Sequence, residues 1–317
     1  MNDVLSVVEA AYRIDRSEPH WLSGIADVAR SQFQGCLGAA CFTYDINDAG
    51  RMEMPSIAWR GDVPGVDAIG LRSALTKHSP EVVAALYEKV RYGFASEPAD
   101  YRHARSPSYY RPLGIGDWLG VNGLDPSRHG CCFILAFPER RAIEDAERER
   151  WTRVAAHLTA ARRLRERILR VDGGGEIEAI LTPMGRVEHA VGEAETAEAR
   201  GALRDAVVRI ENARGALRRS APDAALADWP GLTSARWSLV EQIENDGRRL
   251  VLARRNDMSA PGPSKLSLLE RQVVALAALA KTNEVIGYEL GLSVATVATL
   301  MSRAMQKLAT PARDTST

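Results

Sequence analysis

Signals that start and stop three helices lie close together near the C-terminal end of the chain. Ser267 followed three residues later by Glu270 is a capping box, in which each side chain satisfies a free amide at the start of a helix. Thr282 and Ser293 are good caps for two further helices, and Gly291 between them can adopt the left-handed conformation that ends a helix. The pattern predicts a supporting helix followed by two helices joined by a tight turn, which is the helix-turn-helix arrangement.

The same segment contains a longer series of residues in a fixed order. The series is Leu266, Ser267, Glu270-Arg271, Val274, Leu276, Thr282-Asn283, Ile286, Leu290, Gly291-Leu292-Ser293, Thr296-Val297 and Lys307-Leu308. In order and spacing, residues 264–310 resemble the helix-turn-helix domain of LuxR-type transcriptional regulators. The resemblance implies an all-α domain that binds double-stranded DNA and places the helix from Val294 to Leu308 in the major groove.

The resemblance also implies which residues face the DNA. Arg303 is the main candidate for contact with guanine or phosphate, because a guanidinium presents two parallel donors. Hydroxyls on the same helix can donate to phosphates or meet a thymine methyl, and the N-termini of the last two helices point backbone amides at phosphate. The predicted DNA-binding residues are Thr282, Ser293, Thr296, Ala298, Thr299, Ser302, Arg303 and Lys307.

The segment departs from the family's pattern in ways that predict weak DNA binding by a single copy. Ala298 and Leu300 stand where family members usually have a lysine and a histidine. Residues 265–308 hold five basic and three acidic residues, and the whole chain has 41 of each, so few charges are left to neutralise phosphates. The family's fourth helix, which pairs monomers, has no counterpart in the terminal TPARDTST. We therefore expect a homodimer formed through an upstream region.

Two linker-like stretches divide the rest of the chain. The first, Asp172 to Gly175, follows a region, residues 1–172, whose order of helices, hairpin, loop, strands and long helix is similar to a GAF-type sensor. Residues 176–257 show the order strand, strand, helix, strand, strand and resemble a degenerate PAS domain, and a linker rich in proline and glycine begins at Asn256. The predicted fold is multidomain: an α+β GAF/PAS-like sensor region followed by an all-α helix-turn-helix domain.

One long charged helix is predicted from Ile143 to Leu169, with apolar residues mostly three or four positions apart. Such a helix either packs on the sheet of its own domain or pairs with a second copy at a coiled-coil-like seam. The apolar seam covers only about two heptads, which is too short to decide between these alternatives.

Aromatic residues of the N-terminal region predict either a cavity for a small molecule or an ordinary core. Aromatic side chains fill cores as readily as they line cavities, so the pattern leaves both interpretations open. Phe94 and Tyr110 belong to the same aromatic group. The residues predicted to bind a ligand are Trp59, Tyr92, Tyr109 and Trp118.

The sequence shows no pattern typical of catalysis, of a metal site or of a cofactor site. The four cysteines lie in apolar stretches without a CxxC spacing, as buried strand cysteines do, and no two of the six histidines are three or four residues apart. The N-terminus does not read as a signal peptide, and no uncharged apolar run is long enough to cross a bilayer. We therefore expect a cytoplasmic, non-enzymatic protein that does not enter a membrane.

Together these features predict a transcriptional regulator. Its N-terminal domains would sense a ligand or a partner, and its helix-turn-helix would bind operator DNA. The alternative is a regulatory interaction protein that keeps the helix-turn-helix as a protein–protein module with little DNA binding. The small excess of basic residues in 265–308 keeps this alternative open.

Overall fold

Three modules pack against one another in the computed structural model, which describes residues 3–98, 110–169, 177–243, 247–260, 262–263 and 265–309. The first two modules each contain an antiparallel sheet, and the third is helical. The linker predicted at Asp172 to Gly175 lies outside the described residues.

The N-terminal module is built around five strands. Its elements in chain order are α1 (Val4–Ala11), α2 (Glu18–Ser31), β1 (Gly38–Ile46), β2 (Met52–Gly61), α3 (Ala68–Leu75), α4 (Pro80–Val83), β3 (Tyr92–Phe94), β4 (Asp117–Leu124), β5 (His129–Phe137) and α5 (Asp145–Leu169). The antiparallel sheet has the strand order β2-β1-β5-β4-β3. Helices α1, α2 and α5 cover one face, and α3 lies over the other.

Both faces of this sheet are buried, because side chains alternate along each strand. In β1, Cys41 points to the core under α2 and α5, whereas Phe42 and Tyr44 point to the core under α3. Cys41, Cys131 and Cys132 are buried strand cysteines, as predicted. The prediction is wrong for Cys36, which is only partly buried and lies before β1 begins at Gly38. A sheet with two buried faces can place a cavity on one side and a supporting helix on the other.

The stretch 91–116, which reads as a long irregular loop, contains more structure than the sequence predicts. Tyr92–Phe94 forms the short edge strand β3, and Arg111–Leu113 forms a single 3-10 turn. Strand β3 forms because it pairs with β4, with Tyr92 opposite Val121. Three residues are too few to carry a periodic pattern of their own, so the sequence does not show the strand.

The middle module has the predicted element order with one helix added. It comprises β6 (Ile177–Leu181), β7 (Val187–Ala190), α6 (Ala197–Asn212), α7 (Pro222–Ala227), β8 (Trp237–Ile243) and β9 (Arg249–Arg255), and its sheet order is β7-β6-β9-β8. The sequence predicts that the helix of this module starts near Glu193. Helix α6 begins at Ala197 instead, because the Thr196 hydroxyl caps it by accepting from the Ala199 amide at 3.2 Å.

Helix α5 lies at the centre of the molecule. The stretch from Val154 to Arg165 is buried, and it includes His157 and three arginines. The helix contacts β4 of its own module, α7 of the middle module and the helical C-terminal module. This packing supports the first of the two interpretations of the helix, since a coiled-coil seam would need a free face along the same stretch.

The C-terminal module contains three helices, α8 (Leu268–Ala278), α9 (Asn283–Leu290) and α10 (Val294–Ala309). Their bounds agree with the capping signals of the sequence. Among the described residues, no single helix is long and apolar enough to span a membrane. By length and composition alone, the pair α9 and α10 would pass together, but the two helices meet at a bend of 107°.

Candidate nucleic-acid interface and N-terminal cavity

Local capping fixes the geometry of the three C-terminal helices. The Ser267 hydroxyl accepts from the Glu270 amide at 3.3 Å, and the Glu270 carboxylate accepts from the Ser267 amide at 2.7 Å, so the capping box is complete. The Thr282 hydroxyl accepts from Val285 at 3.3 Å at the start of α9. Gly291 has φ +66° and ends α9 in the left-handed conformation. These contacts place the C-terminus of α9 and the N-terminus of α10 on either side of one tight turn.

Helix α10 presents a polar face to solvent. All eight residues predicted to contact DNA are exposed. Val297 and Ala304 are buried against the other two helices, as the periodicity predicts. The helical spacing of Val297, Leu300, Ala304 and Leu308 predicts one buried stripe. This prediction is wrong for two of the four, because Leu300 is only half-buried and Leu308 is 37% exposed. The interface is therefore a helix face that offers hydroxyls, one amide side chain and Arg303.

The five basic residues of this module are not equally available to DNA. Lys281 has a side chain only 4% exposed and forms an ion pair with Glu289 at 2.5 Å. Lys307 pairs with Glu270 at 2.7 Å across the module. A count of basic residues in the sequence includes both lysines among the charges that could neutralise phosphates. In the structure Lys281 is enclosed and Lys307 is held by a carboxylate. Lys265 and Arg271 lie outside α10, so the positive potential on the exposed face of α10 depends mainly on Arg303.

Helix α9 has a second buried face that the sequence does not predict. The Tyr288 hydroxyl lies 2.7 Å from Nε2 of His157 on α5, and it donates towards the Trp229 carbonyl at 2.7 Å and the Leu226 carbonyl at 2.8 Å. Burial raises the pKa of Tyr288 well above its usual value and lowers the pKa of His157 to about 3, so both groups are neutral at pH 7. One hydroxyl thus links the C-terminal module to both upstream modules.

The Lys281–Glu289 pair lies at the same junction. The Lys281 ammonium also donates to the Leu124 carbonyl at the end of β4, at 3.5 Å. Burial lowers the pKa of Lys281, although Glu289 beside it acts in the opposite direction. This contact connects the segment just before α9 to β4, which also lines the cavity of the N-terminal module.

A cavity lies under the second face of the N-terminal sheet, between α3, the π-helical turn Ala84–Glu88 and strands β3 to β5. Its free volume is about 50 Å³, which is room for only a few water molecules. Burial lowers the pKa of His78 to about 4, so its imidazole is neutral at pH 7. The remaining lining is mainly apolar and includes Leu71, Leu75, Leu86, Tyr110, Trp118 and Ile134.

Asn122 makes polar contacts with two neighbouring segments at the wall of this cavity. Its amide nitrogen donates to the Tyr87 carbonyl at 2.6 Å, and its carbonyl accepts from the Tyr44 hydroxyl at 2.5 Å. Strand β4 and the π-helical turn are therefore held together at the cavity wall. Neither Asn122 nor His78 stands out in the sequence, because a single polar residue in an apolar pattern does not reveal which face it lies on.

The structure separates the four residues that were predicted to bind a ligand. Trp118 lines the cavity, and Trp59 packs against it with ring centroids 6.2 Å apart. The prediction for Tyr92 is wrong: its side chain lies on the opposite face of the sheet, hydrogen-bonded to Glu147 and stacked on Trp151. Tyr109 lies outside the described residues.

Comparison with known proteins agrees with the geometry of the C-terminal module. Residues 264–316 match the family model of the bacterial regulatory proteins of the luxR family. They form a LuxR-family helix-turn-helix domain. Among solved structures, the chain is similar to the crystal structure of Escherichia coli SdiA, with 11% identity over 94% of this chain and 88% of that one, at a TM-score of 0.31. No curated protein sequence matches the chain.

Proposed function

We propose that this chain is a DNA-binding transcriptional regulator. The observation that carries the proposal is the LuxR-family helix-turn-helix domain, whose exposed α10 face holds every residue predicted to contact DNA from Ser293 onwards. Arg303 is the side chain best suited to bidentate contact with guanine, and the capped N-termini of α9 and α10 suit backbone contacts to phosphate.

The N-terminal module is the proposed sensor. Its GAF-like character remains part of this proposal, as do the PAS-like character of the middle module and a small-molecule ligand in the cavity beside Trp118 and Asn122. The present free volume of about 50 Å³ is far below that of an ordinary ligand pocket, so a ligand must displace side chains such as Leu75 and Leu86. A mainly apolar molecule with one or two hydrogen-bonding groups suits this lining.

The protein is proposed to act as a homodimer in the cytoplasm. A single helix-turn-helix with one main cation has low affinity for DNA, whereas two copies can occupy two half-sites about one helical turn apart.

A second candidate function is regulation through protein–protein contact. The enclosure of Lys281 and the pairing of Lys307 favour it, since both reduce the charge available to DNA. On this account the helix-turn-helix would act as a packing module with little DNA binding.

An electrophoretic mobility-shift assay with the full chain and a pool of random-sequence DNA duplexes distinguishes the two candidate functions. We expect wild-type binding that weakens as salt rises, because phosphate contacts release counterions. Arg303→Ala should weaken binding by about tenfold or more. The matched control is Arg186→Ala, at an exposed arginine on the turn of the middle module, which should bind as wild type does. Binding that ignores salt, or that Arg303→Ala leaves unchanged, contradicts the proposal and supports the second candidate.

A further inference from the structure

The cavity of the N-terminal module borders solvent along one wall of aliphatic side chains. Most of the bulky side chains that line the cavity are buried, such as Leu71 at 2% exposed and Cys132 at 1% exposed. Leu75, Leu86 and Val90 are only half-buried, so each contacts the cavity on one side and solvent on the other. Leu75 ends α3, and Leu86 belongs to the π-helical turn. We call these three side chains the outer wall.

The other boundaries of the cavity are held by contacts that resist opening. Strands β3 to β5 form its floor, and this floor can part only if their backbone hydrogen bonds break. At one end, Trp118 packs edge to face against Tyr110, with ring centroids 5.2 Å apart, and against Trp59. Asn122 ties β4 to the Tyr87 carbonyl at 2.6 Å. The aliphatic side chains of the outer wall, in contrast, can separate without loss of a hydrogen bond.

The π-helical turn is the part of the outer wall that is best suited to change shape. The Lys89 amide closes this turn by donating to the Ala84 carbonyl, five residues back, at 3.1 Å. Such turns are rare and occur frequently at functional sites. Arg91 donates to the carbonyls of the last two residues of the turn at 2.9 and 3.1 Å, which anchors that end beside β3. Leu86 lies before this anchored end, and its side chain is held by apolar packing.

We propose that a ligand enters the cavity between Leu75 and Leu86, and that the side chain at position 86 limits the size of what can pass. This inference rests on the proposed function, since it takes the cavity as the ligand site. The free volume of about 50 Å³ admits no ordinary ligand, so an entering ligand must push side chains aside. Leu75 and Leu86 can move into solvent, whereas Leu71 and Ile134 would have to move into closely packed protein.

Cys132 reports on this entrance without a known ligand. It lines the cavity opposite Asn122 in the register of β4 and β5, whereas Cys131 and Cys41 lie on the other face of the sheet. A neutral maleimide that enters the cavity alkylates Cys132 and leaves a fixed mass increase. Burial raises the pKa of the Cys132 thiol, so wild type should react slowly. Alkylation of Cys41 and Cys131 reports unfolding of the sheet instead.

The test compares the full chain with its variants Leu86→Ala and Leu75→Ala. Each protein is treated with N-methylmaleimide or the bulkier N-phenylmaleimide, and tandem mass spectrometry identifies the modified cysteines. We expect each outer-wall variant to speed alkylation of Cys132 about tenfold, because the closed wall loses apolar packing. Leu86→Ala should increase the rate for N-phenylmaleimide more than the rate for N-methylmaleimide. Leu71→Ala is the matched control, since it removes the same atoms from a buried wall, and its Cys132 should react as in wild type.

Equal rates of Cys132 alkylation in wild type and both outer-wall variants overturn the proposed entrance. A gain in Leu71→Ala as large as that in Leu86→Ala also overturns it, as does a matching rise at Cys41 and Cys131. Equal gains for the two maleimides in Leu86→Ala overturn the size limit. None of these measurements involves DNA, so their failure leaves the DNA-binding regulator in place. Loss of salt-sensitive binding in the mobility-shift assay overturns the proposed function and leaves the entrance as a property of the cavity.

Discussion

Lys281 and Lys307 show how the packing of a single side chain sets its electrostatic role. Both lie at positions where an exposed lysine would attract phosphate. Lys281 instead forms a buried pair with Glu289, and Lys307 closes the capping box of Glu270 from the far end of α10. Arg303 remains on the exposed face. At the residue scale, the DNA-binding claim therefore depends on one arginine and a row of hydroxyls.

A fall in pH should destabilise the protein through His157. Burial lowers the pKa of His157 in the folded protein to about 3, against an ordinary value of 6.5. Between these values the unfolded chain binds a proton that the folded chain does not, so stability is complete above about pH 6.5 and is lost as the pH falls. From pH 7.5 to pH 5, we expect the free energy of unfolding to drop by roughly 2 kcal/mol from this group. His78, with a pKa lowered to about 4, acts in the same direction.

Urea denaturation at the two pH values measures this loss. His157→Gln keeps a polar side chain but cannot gain the proton, so its stability should fall less between pH 7.5 and pH 5 than that of wild type. His20→Gln serves as the control, because His20 is exposed. An equal fall in wild type and His157→Gln would show that the buried imidazole does not control the pH dependence.

At the scale of elements, β4 separates two environments within a few residues. Gly120 faces the cavity, where a methyl group would find its nearest atoms at 3.9 Å. Gly123 faces α5, where a methyl group would lie 2.5 Å from the Ala155 carbonyl oxygen. One face of the strand borders the small cavity, and the other is pressed against the central helix.

Alanine at these two glycines should therefore have opposite effects. Gly120→Ala should raise the free energy of unfolding by roughly 0.5–1 kcal/mol, since it restricts the unfolded chain without a clash. Gly123→Ala should lower it by roughly 1–3 kcal/mol, because β4 and α5 must move apart. Thermal and urea unfolding of both variants measure the difference. Destabilisation by Gly120→Ala comparable to that of Gly123→Ala would contradict the placement of the cavity.

The elements that the sequence predicts well are those with local signals. Caps at Ser267, Thr282 and Ser293 and the left-handed turn at Gly291 involve neighbours within a few residues, so they can be read directly from the chain. The face on which Tyr92 lies depends on pairing with β4, and alternation alone does not say which face holds the cavity. The second buried face of α9 depends on contacts with residues more than fifty positions away in the chain, such as the contact of Tyr288 with Trp229. The only local sign of this second buried face in the sequence is the aromatic residue Tyr288, between Ile286 and Leu290.

At the scale of the whole molecule, α5 joins the three modules. One continuous cluster of buried residues includes Trp151 of α5, Trp229 of the middle module and Ile286 of the helix-turn-helix. Since α5 is enclosed by its own chain, a homodimer must use another surface.

The most direct test of the central claim is selection of duplexes from a random-sequence pool by the full chain, followed by sequencing. The account predicts enrichment of a two-fold symmetric motif with half-sites about one helical turn apart. Arg303→Ala should lose this motif or change its preferred bases. Failure of the wild type to enrich any motif, or an identical motif from Arg303→Ala, would contradict the claim that α10 reads DNA.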